Sequence, residues 1–211
     1  MKKRNELPNF YKVPHVNVDT EKLLSCFKDL NKDEHDQLYY KCGVHYTNDE
    51  YKQMYVTYPT GDEKIRDRAD ERLYTNLQEE FKGTYVEEVL NMFKSPYTRT
   101  RLVVKKPGAY ILPHIDYDTS YSVRYFITLK TNPWSYVAIK RKGEDMPEIK
   151  HLPADGTAYF VNVGQLHSAW NFGKEDHISL IVSVNGQDDL ENVDREYNKW
   201  QRENLKVNTR S

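Results

Sequence analysis

Three residues of this chain could together hold a divalent metal: His114, Asp116 and His167. In an extended strand, side chains two apart share a face, so His-x-Asp presents an imidazole and a carboxylate on one side. The third ligand has to come from another strand folded alongside. His167 meets that need, 53 residues further on and just after Gly164. Two nitrogens and one carboxylate oxygen on one face of an ion leave its other positions open, the donor set of non-haem Fe(II) oxygen chemistry. His-x-Asp alone is a weak signal among seven histidines and many aspartates, and its weight comes from its setting. The pair follows the Pro107-Gly108 turn and a short apolar run, Ala109–Leu112, and the distal histidine opens His-Ser-Ala-Trp-Asn. The plain alternative is that both histidines only hydrogen-bond within the fold.

The elements that must position these groups are legible as two regimes. In the front half, Thr20–Leu30 carries Leu23, Leu24, Phe27 and Leu30 at helical spacing, with Asp19 or Thr20 as N-cap. Two tyrosine-rich β-like runs follow, Leu38–Tyr46 and Tyr51–Tyr58. Glu63–Phe81 reads as a long amphipathic helix closed by Gly83, and Tyr85–Phe93 as a short one. After Ser95-Pro96 the period changes from 3.6 to 2. Strands are expected at Thr98–Lys105, Ala109–Ile115, Ser122–Leu129, Ser135–Arg141, Glu148–Leu152, Thr157–Val163, His167–Asn171 and His177–Asn185. Short strands with frequent turn signals predict a closed or two-sheet β architecture. Asp188–Asn204 reads as a charged helical tail.

Bulk properties exclude other classes. Formal net charge is −1, from 31 basic and 32 acidic residues, which gives no footprint for nucleic acid. Mean hydropathy is −0.87, and no apolar run approaches the ~18–20 residues that span a bilayer. The basic start MKKRNELPNF is not followed by the apolar stretch of a secretory signal. Cys26 and Cys42 share no metal-like spacing, so reduced thiols in a cytoplasmic protein are the expectation.

The segments RTRLVVKKPGAYILPHIDYD and GQLHSAWNFGKEDHISLIVSV resemble the 2-oxoglutarate/Fe(II)-dependent oxygenases, most closely the aspartyl/asparaginyl β-hydroxylase branch. The resemblance covers about Arg99 to Asn185. It implies an α+β protein that is mainly β in its C-terminal half, a double-stranded β-helix (a jelly-roll or cupin-like barrel) with N-terminal helices packed on it. On that reading residues 1–95 are a helical, Tyr-rich elaboration covering the barrel, 96–186 the catalytic core and 187–211 a helical tail. Implied cofactors are Fe(II), 2-oxoglutarate as co-substrate and O2. The implied reaction is hydroxylation of a C–H bond in an amino acid, an amino-acid residue of a protein or a small metabolite. Succinate and CO2 are the co-products.

The resemblance also implies a cation for the distal carboxylate of 2-oxoglutarate. Most of the family has Arg-x-Ser ten residues after the distal histidine; here His177 and Ser179 stand in those places. A neutral histidine donates a single hydrogen bond, and only a neighbouring carboxylate would favour its charged form. Arg124, ten residues after His114, matches the branch's other co-substrate arginine and is the better cation, although Phe126 replaces the histidine often found two residues beyond it. These departures keep open a cupin-like metal enzyme that does not use 2-oxoglutarate, and a catalytically silent barrel that acts as a binding module. Trp170 is expected in the core, Asn171 either orients bound groups or caps a turn, and Tyr110, Tyr117 and Tyr121 are candidates for a substrate mouth. Substrate and oligomeric state stay open.

Overall fold

The computed structural model describes residues 1–28, 39–41, 47–60 and 70–193. Its frame is a seven-stranded antiparallel sheet. The order is β1 (Phe10–Asn17), β11 (Thr157–Val161), β8 (Val123–Lys130), β13 (His177–Val184), β6 (Tyr97–Lys105), β3 (Tyr51–Tyr55) and β2 (Tyr39–Lys41). A four-stranded antiparallel sheet lies against it, in the order β10 (Glu148–Lys150), β9 (Ser135–Lys140), β12 (Leu166–Asn171) and β7 (Tyr110–His114). The short strands β4 (Thr57–Tyr58) and β5 (Asn76–Leu77) form a ribbon of their own.

Residue parity shows why the large sheet is buried on both faces. One face carries Val13, Leu102, Val123, Tyr125, Ile127, Phe160, Leu180 and Val182. It packs on helices α1 (Thr20–Lys28) and α2 (Tyr85–Leu90) through Leu23, Phe27, Val86, Val89 and Leu90. The other face meets the small sheet, where Tyr159 and Val161 join Val137, Ile139 and Ala169. Strands covered on both sides lose the simple polar/apolar alternation, as β13 does: all but one of its residues are buried. Along β13, His177, Ser179, Ile181 and Ser183 point between the sheets, whereas Leu180, Val182 and Val184 join the helix-side core.

The eight expected strands of the C-terminal half all form, with ends moved by one or two residues, and α1 forms with Asp19 as its cap (Lys22 N–H to Asp19 Oδ1, 2.9 Å). Two expectations for the flanking regions need correction. The long helix Glu63–Phe81 does not exist over its described part. Residues 71–81 form a 3-10 turn, β5 and a second 3-10 turn, because Glu71 is drawn into the interior and Leu77 pairs with Thr57. Residues 61–69 lie outside the described set. Helices near the N-terminus are accordingly few, and the first 95 residues contribute β1 to one edge of the large sheet and β2–β3 to the other. Strand β1 had no counterpart in the sequence reading, since Pro14 breaks its pattern. The structure accommodates Pro14 on an edge strand, where pairing with β11 is interrupted between Val13 and Asn17. In the tail Asp188–Leu190 form a 3-10 turn, and the expected helix from 194 onward lies outside the described residues.

Cys26 is a free thiol, and Cys42 lies outside the described residues. No described helix is long and apolar enough to cross a membrane.

Candidate metal centre

β7 and β12 are neighbours in the small sheet, and their register sets His114 directly opposite His167. The two rings lie 4.1 Å apart between centroids. Just beyond β7 the chain is held to the large sheet by the Asp116 N–H, which donates to the Val163 carbonyl at 3.0 Å. Gly164 permits this approach, because a Cβ there would stand 3.1 Å from the Tyr117 carbonyl oxygen. As a result the Asp116 carboxylate reaches both histidines, 3.6 Å from His114 Nε2 and 3.8 Å from His167 Nε2.

Each imidazole is also oriented from behind. His114 Nδ1 lies 2.8 Å from the Leu112 carbonyl and His167 Nδ1 3.1 Å from the Gln165 carbonyl. A carbonyl only accepts, so each Nδ1 carries a proton, and each Nε2 is the ring edge turned toward Asp116. Burial holds His167 neutral by pushing its pKa down to about 4, against the opposing pull of Asp116. Burial would raise the Asp116 carboxyl, but the Arg124 guanidinium beside it outweighs that and keeps the carboxylate ionised. Two imidazoles and an anionic carboxylate, with candidate ligand atoms within 4.8 Å of one another, fit a 2-His-1-carboxylate Fe(II) site.

Behind Asp116 lies a buried chain of charge that sequence reasoning missed. Arg124 Nη1 donates to Asp116 Oδ2, while its Nε and Nη2 donate to Glu71 at 3.2 and 2.8 Å. Glu71, 1 % exposed, also accepts from the Ser122 and Ser183 hydroxyls. Burial opposes its ionisation, but Arg124 and then Arg101 outweigh that and hold the carboxyl well below the usual range. The sequence reading assigns Arg124 to the co-substrate; the structure directs its guanidinium fork to these two acids.

The triad opens into a cavity of about 430 Å³, within the range of small-molecule sites. Ile111, Phe126, Val137, Ala169 and Ile181 form apolar wall, and Arg99, Arg101 and Arg124 line it as well. His177 and Ser179 are not among its lining residues. They are buried, with His177 Nε2 2.7 Å from Ser179 Oγ and His177 Nδ1 2.8 Å from Thr131 Oγ1. Among the described residues no carboxylate pairs with His177. Burial and the neighbouring Lys105 push its pKa well below the ordinary value, so the ring is neutral.

The remaining singled-out residues take structural places. Asn171 clamps the turn after β12, donating to the Lys105 and Glu175 carbonyls and accepting from Asn132 and the Gly173 N–H. Trp170 is not in the core. It is half-buried on the outer face of the small sheet, between Tyr136 and Phe172, because His167 and Ala169 take the inward parity. Tyr117 lines the cavity and stacks on Tyr121, whereas Tyr110 is exposed and outside the lining.

The family described as aspartyl/asparaginyl beta-hydroxylase matches residues 68–186, more than half of the chain. The chain belongs to that family. This β-hydroxylase family member is a 2-oxoglutarate-dependent oxygenase with Fe(II), 2-oxoglutarate and O2 as its cofactor set. No curated protein sequence matches it. Among solved structures it is similar to the non-haem alpha-ketoglutarate-dependent epimerase SnoN from nogalamycin biosynthesis, with 15 % identity over 85 % of this chain and 78 % of that one and a TM-score of 0.52. AviO1 from Streptomyces viridochromogenes Tue57 gives 15 % identity, 88 % and 93 % coverage and a TM-score of 0.51. A Pseudomonas putida prolyl-4-hydroxylase gives 9 %, 83 % and 91 %, and 0.50. At such identities the likeness concerns the fold.

Proposed function

We propose that this β-hydroxylase family member hydroxylates a C–H bond of a substrate carrying a carboxylate, such as an acidic amino acid or an acidic residue of a peptide. We read the two packed sheets as a double-stranded β-helix with His114, Asp116 and His167 as the iron ligands. Bound iron, with 2-oxoglutarate and O2, supplies the oxidant that converts C–H to C–OH and leaves succinate and CO2.

The observation that carries the substrate class is the charge of the cavity. Three arginines line it or reach it, against Asp116 at the triad and Glu71 behind it. The balance is +1 before any metal, which favours anionic ligands. Arg101 is the group best placed to receive one. It is 7 % exposed, Nη1 donates to Gln53 Oε1 at 3.0 Å, and its Nε has no partner among the described residues. A guanidinium fork with a spare donor matches a carboxylate. The apolar wall below the triad keeps water from the reacting carbon.

Anaerobic addition of Fe(II) and 2-oxoglutarate should produce the weak visible charge-transfer band of the chelate, and air should then yield slow, substrate-independent succinate. Absence of both would sink the reading. Among amino acids and short peptides, acidic ones should stimulate succinate release more than their amides do. Arg101→Met should lower kcat/KM for the acidic substrate about 10- to 100-fold, the worth of one charged hydrogen bond. Equal stimulation by acids and amides would overturn the assignment of substrate class.

A further inference from the structure

Lys105 is a buried residue whose chemistry the site described so far does not use. It closes β6, four residues after Arg101, and pairs in register with His177 of β13 and Tyr51 of β3. Residues two apart share a face, so Lys105 projects between the sheets with Val103 and Arg101. It is 4 % exposed, and among the described residues its ammonium has no hydrogen-bond or ion-pair partner. Burial alone pushes its pKa down to about 7. A lone buried ammonium is costly and contributes nothing to packing that a methionine would not.

Its neighbours across the strands are polar too. Ser179 pairs in register with Val103 on one side and Thr128 on the other. The Thr128 hydroxyl, on a residue 1 % exposed, also has no partner. Tyr51, opposite Lys105, lines the metal cavity, as do Ile181 and Phe126, each two residues from this cluster. Lys105 and Thr128 themselves stand just behind that lining, further along their strands' inward faces. From Lys105 to Arg101 the strand rises roughly 13 Å, a gap that a lysine stem and an extended five-carbon diacid cover end to end.

Of the other cations nearby, Arg101 is the one assigned above to the substrate carboxylate. Arg124 holds Glu71 and Asp116, and His177 is neutral with both ring nitrogens on hydroxyls. We propose that Lys105, with the Thr128 hydroxyl beside it, receives the distal carboxylate of 2-oxoglutarate. The cation that the family places on the last strand has thus moved one strand over, onto β6, while His177 and Ser179 support the pocket as a neutral pair. This assignment rests on the reading of the cavity as a 2-oxoglutarate site.

The test compares 2-oxoglutarate with 2-oxopentanoate, the same 2-oxo acid without the distal carboxylate, by calorimetric titration into the full-length protein loaded with Mn(II). Wild type should prefer 2-oxoglutarate by at least about 100-fold, the scale on which a site built for a polar group rejects an analogue lacking it. Lys105→Met should erase that preference while leaving affinity for 2-oxopentanoate and for the metal unchanged. Its melting temperature should not fall. Thr128→Val should weaken 2-oxoglutarate alone, by a smaller factor. A second readout is proton uptake. The titratable groups that face Lys105 are neutral His177 and Tyr51, and no carboxylate does among the described residues. Seating an anion there at pH 8 should therefore draw a proton onto the lysine, seen as a buffer-dependent heat that is absent in Lys105→Met. Retention of the preference in Lys105→Met overturns the proposal, and its loss in Arg101→Met instead would name Arg101 as the anchor. If wild type binds neither acid, the 2-oxoglutarate reading itself fails.

Discussion

His167→Ala should give a folded protein that no longer retains Fe(II), forms no charge-transfer band with 2-oxoglutarate and releases no succinate. The imidazole is held on both sides, by the Gln165 carbonyl at Nδ1 and by Asp116 and His114 at the other edge. Its removal deletes one of only three protein donors. Losing an outer group that merely orients a ligand costs about 10- to 100-fold in metal affinity, so losing the ligand itself should cost more. The fold should survive, because β12 keeps its backbone pairing with β9 and β7. The discriminating measurement is melting temperature against metal concentration. A ligand at 100 times its Kd stabilises the folded state by about 2.7 kcal/mol, and that increment should vanish in His167→Ala. His151→Ala is the control, since His151 lies 2.9 Å from the Ser135 carbonyl and edge-on to Tyr136, and lines no part of the cavity. An undiminished metal-dependent shift in His167→Ala would remove His167 from the ligand set.

The difference between what the sequence announced and what it concealed lies in the range of the interaction involved. His114 and Asp116 were legible because strand parity is local, and His167 because turn signals delimit the strand that carries it. Glu71 was not. In the pattern Ile65, Ala69, Leu73, Leu77, Phe81 it occupies a position that reads as the exposed side of a helix. Its partner Arg124 is 53 residues away, and no window of local periodicity contains both. Burying Glu71 against Arg124 outweighs the helical preference of the segment, and Leu77 and Phe81 then find the core from a strand and a 3-10 turn. Lys105 was hidden for a similar reason. Followed by Lys106-Pro107-Gly108 it looks like a solvated lysine at a turn. Only flanking by β3 and β13 makes it an interior residue. The jump of the family's arginine position to His177 was visible, but its consequence depended on a cross-strand neighbour.

Removing the Glu71 carboxylate should be the most destabilising single change in the site. Glu71→Ala leaves a buried guanidinium with Asp116 as its one remaining carboxylate and strips the Ser122 and Ser183 hydroxyls of their acceptor. Deleting one member of a buried ion pair typically costs about 3–5 kcal/mol, because the other stays desolvated. For a chain of this length that corresponds to a fall of roughly 6–20 °C in melting temperature. Glu71→Gln keeps the shape and an acceptor oxygen, so it should fall less. The double replacement Glu71→Met with Arg124→Met should regain only part of the loss, since it removes both charges of that pair but leaves Asp116 without its guanidinium. The sign of the pH effect follows from the carboxyl lying below its unfolded value. Its contribution is fully present above about pH 4.5 and declines as pH falls below that, while the unfolded chain binds the proton more readily. Denaturant midpoints at pH 7 and pH 4 should therefore converge between wild type and Glu71→Gln. Glu71 also has a consequence that bulk stability does not report. Through Arg124 it fixes the carboxylate that meets both histidines, so Glu71→Gln should weaken Fe(II) binding about 10- to 100-fold at a pH where the protein remains folded. A variant with lowered stability and unaltered metal affinity would make Glu71 a buried counter-ion for Arg124 and nothing more.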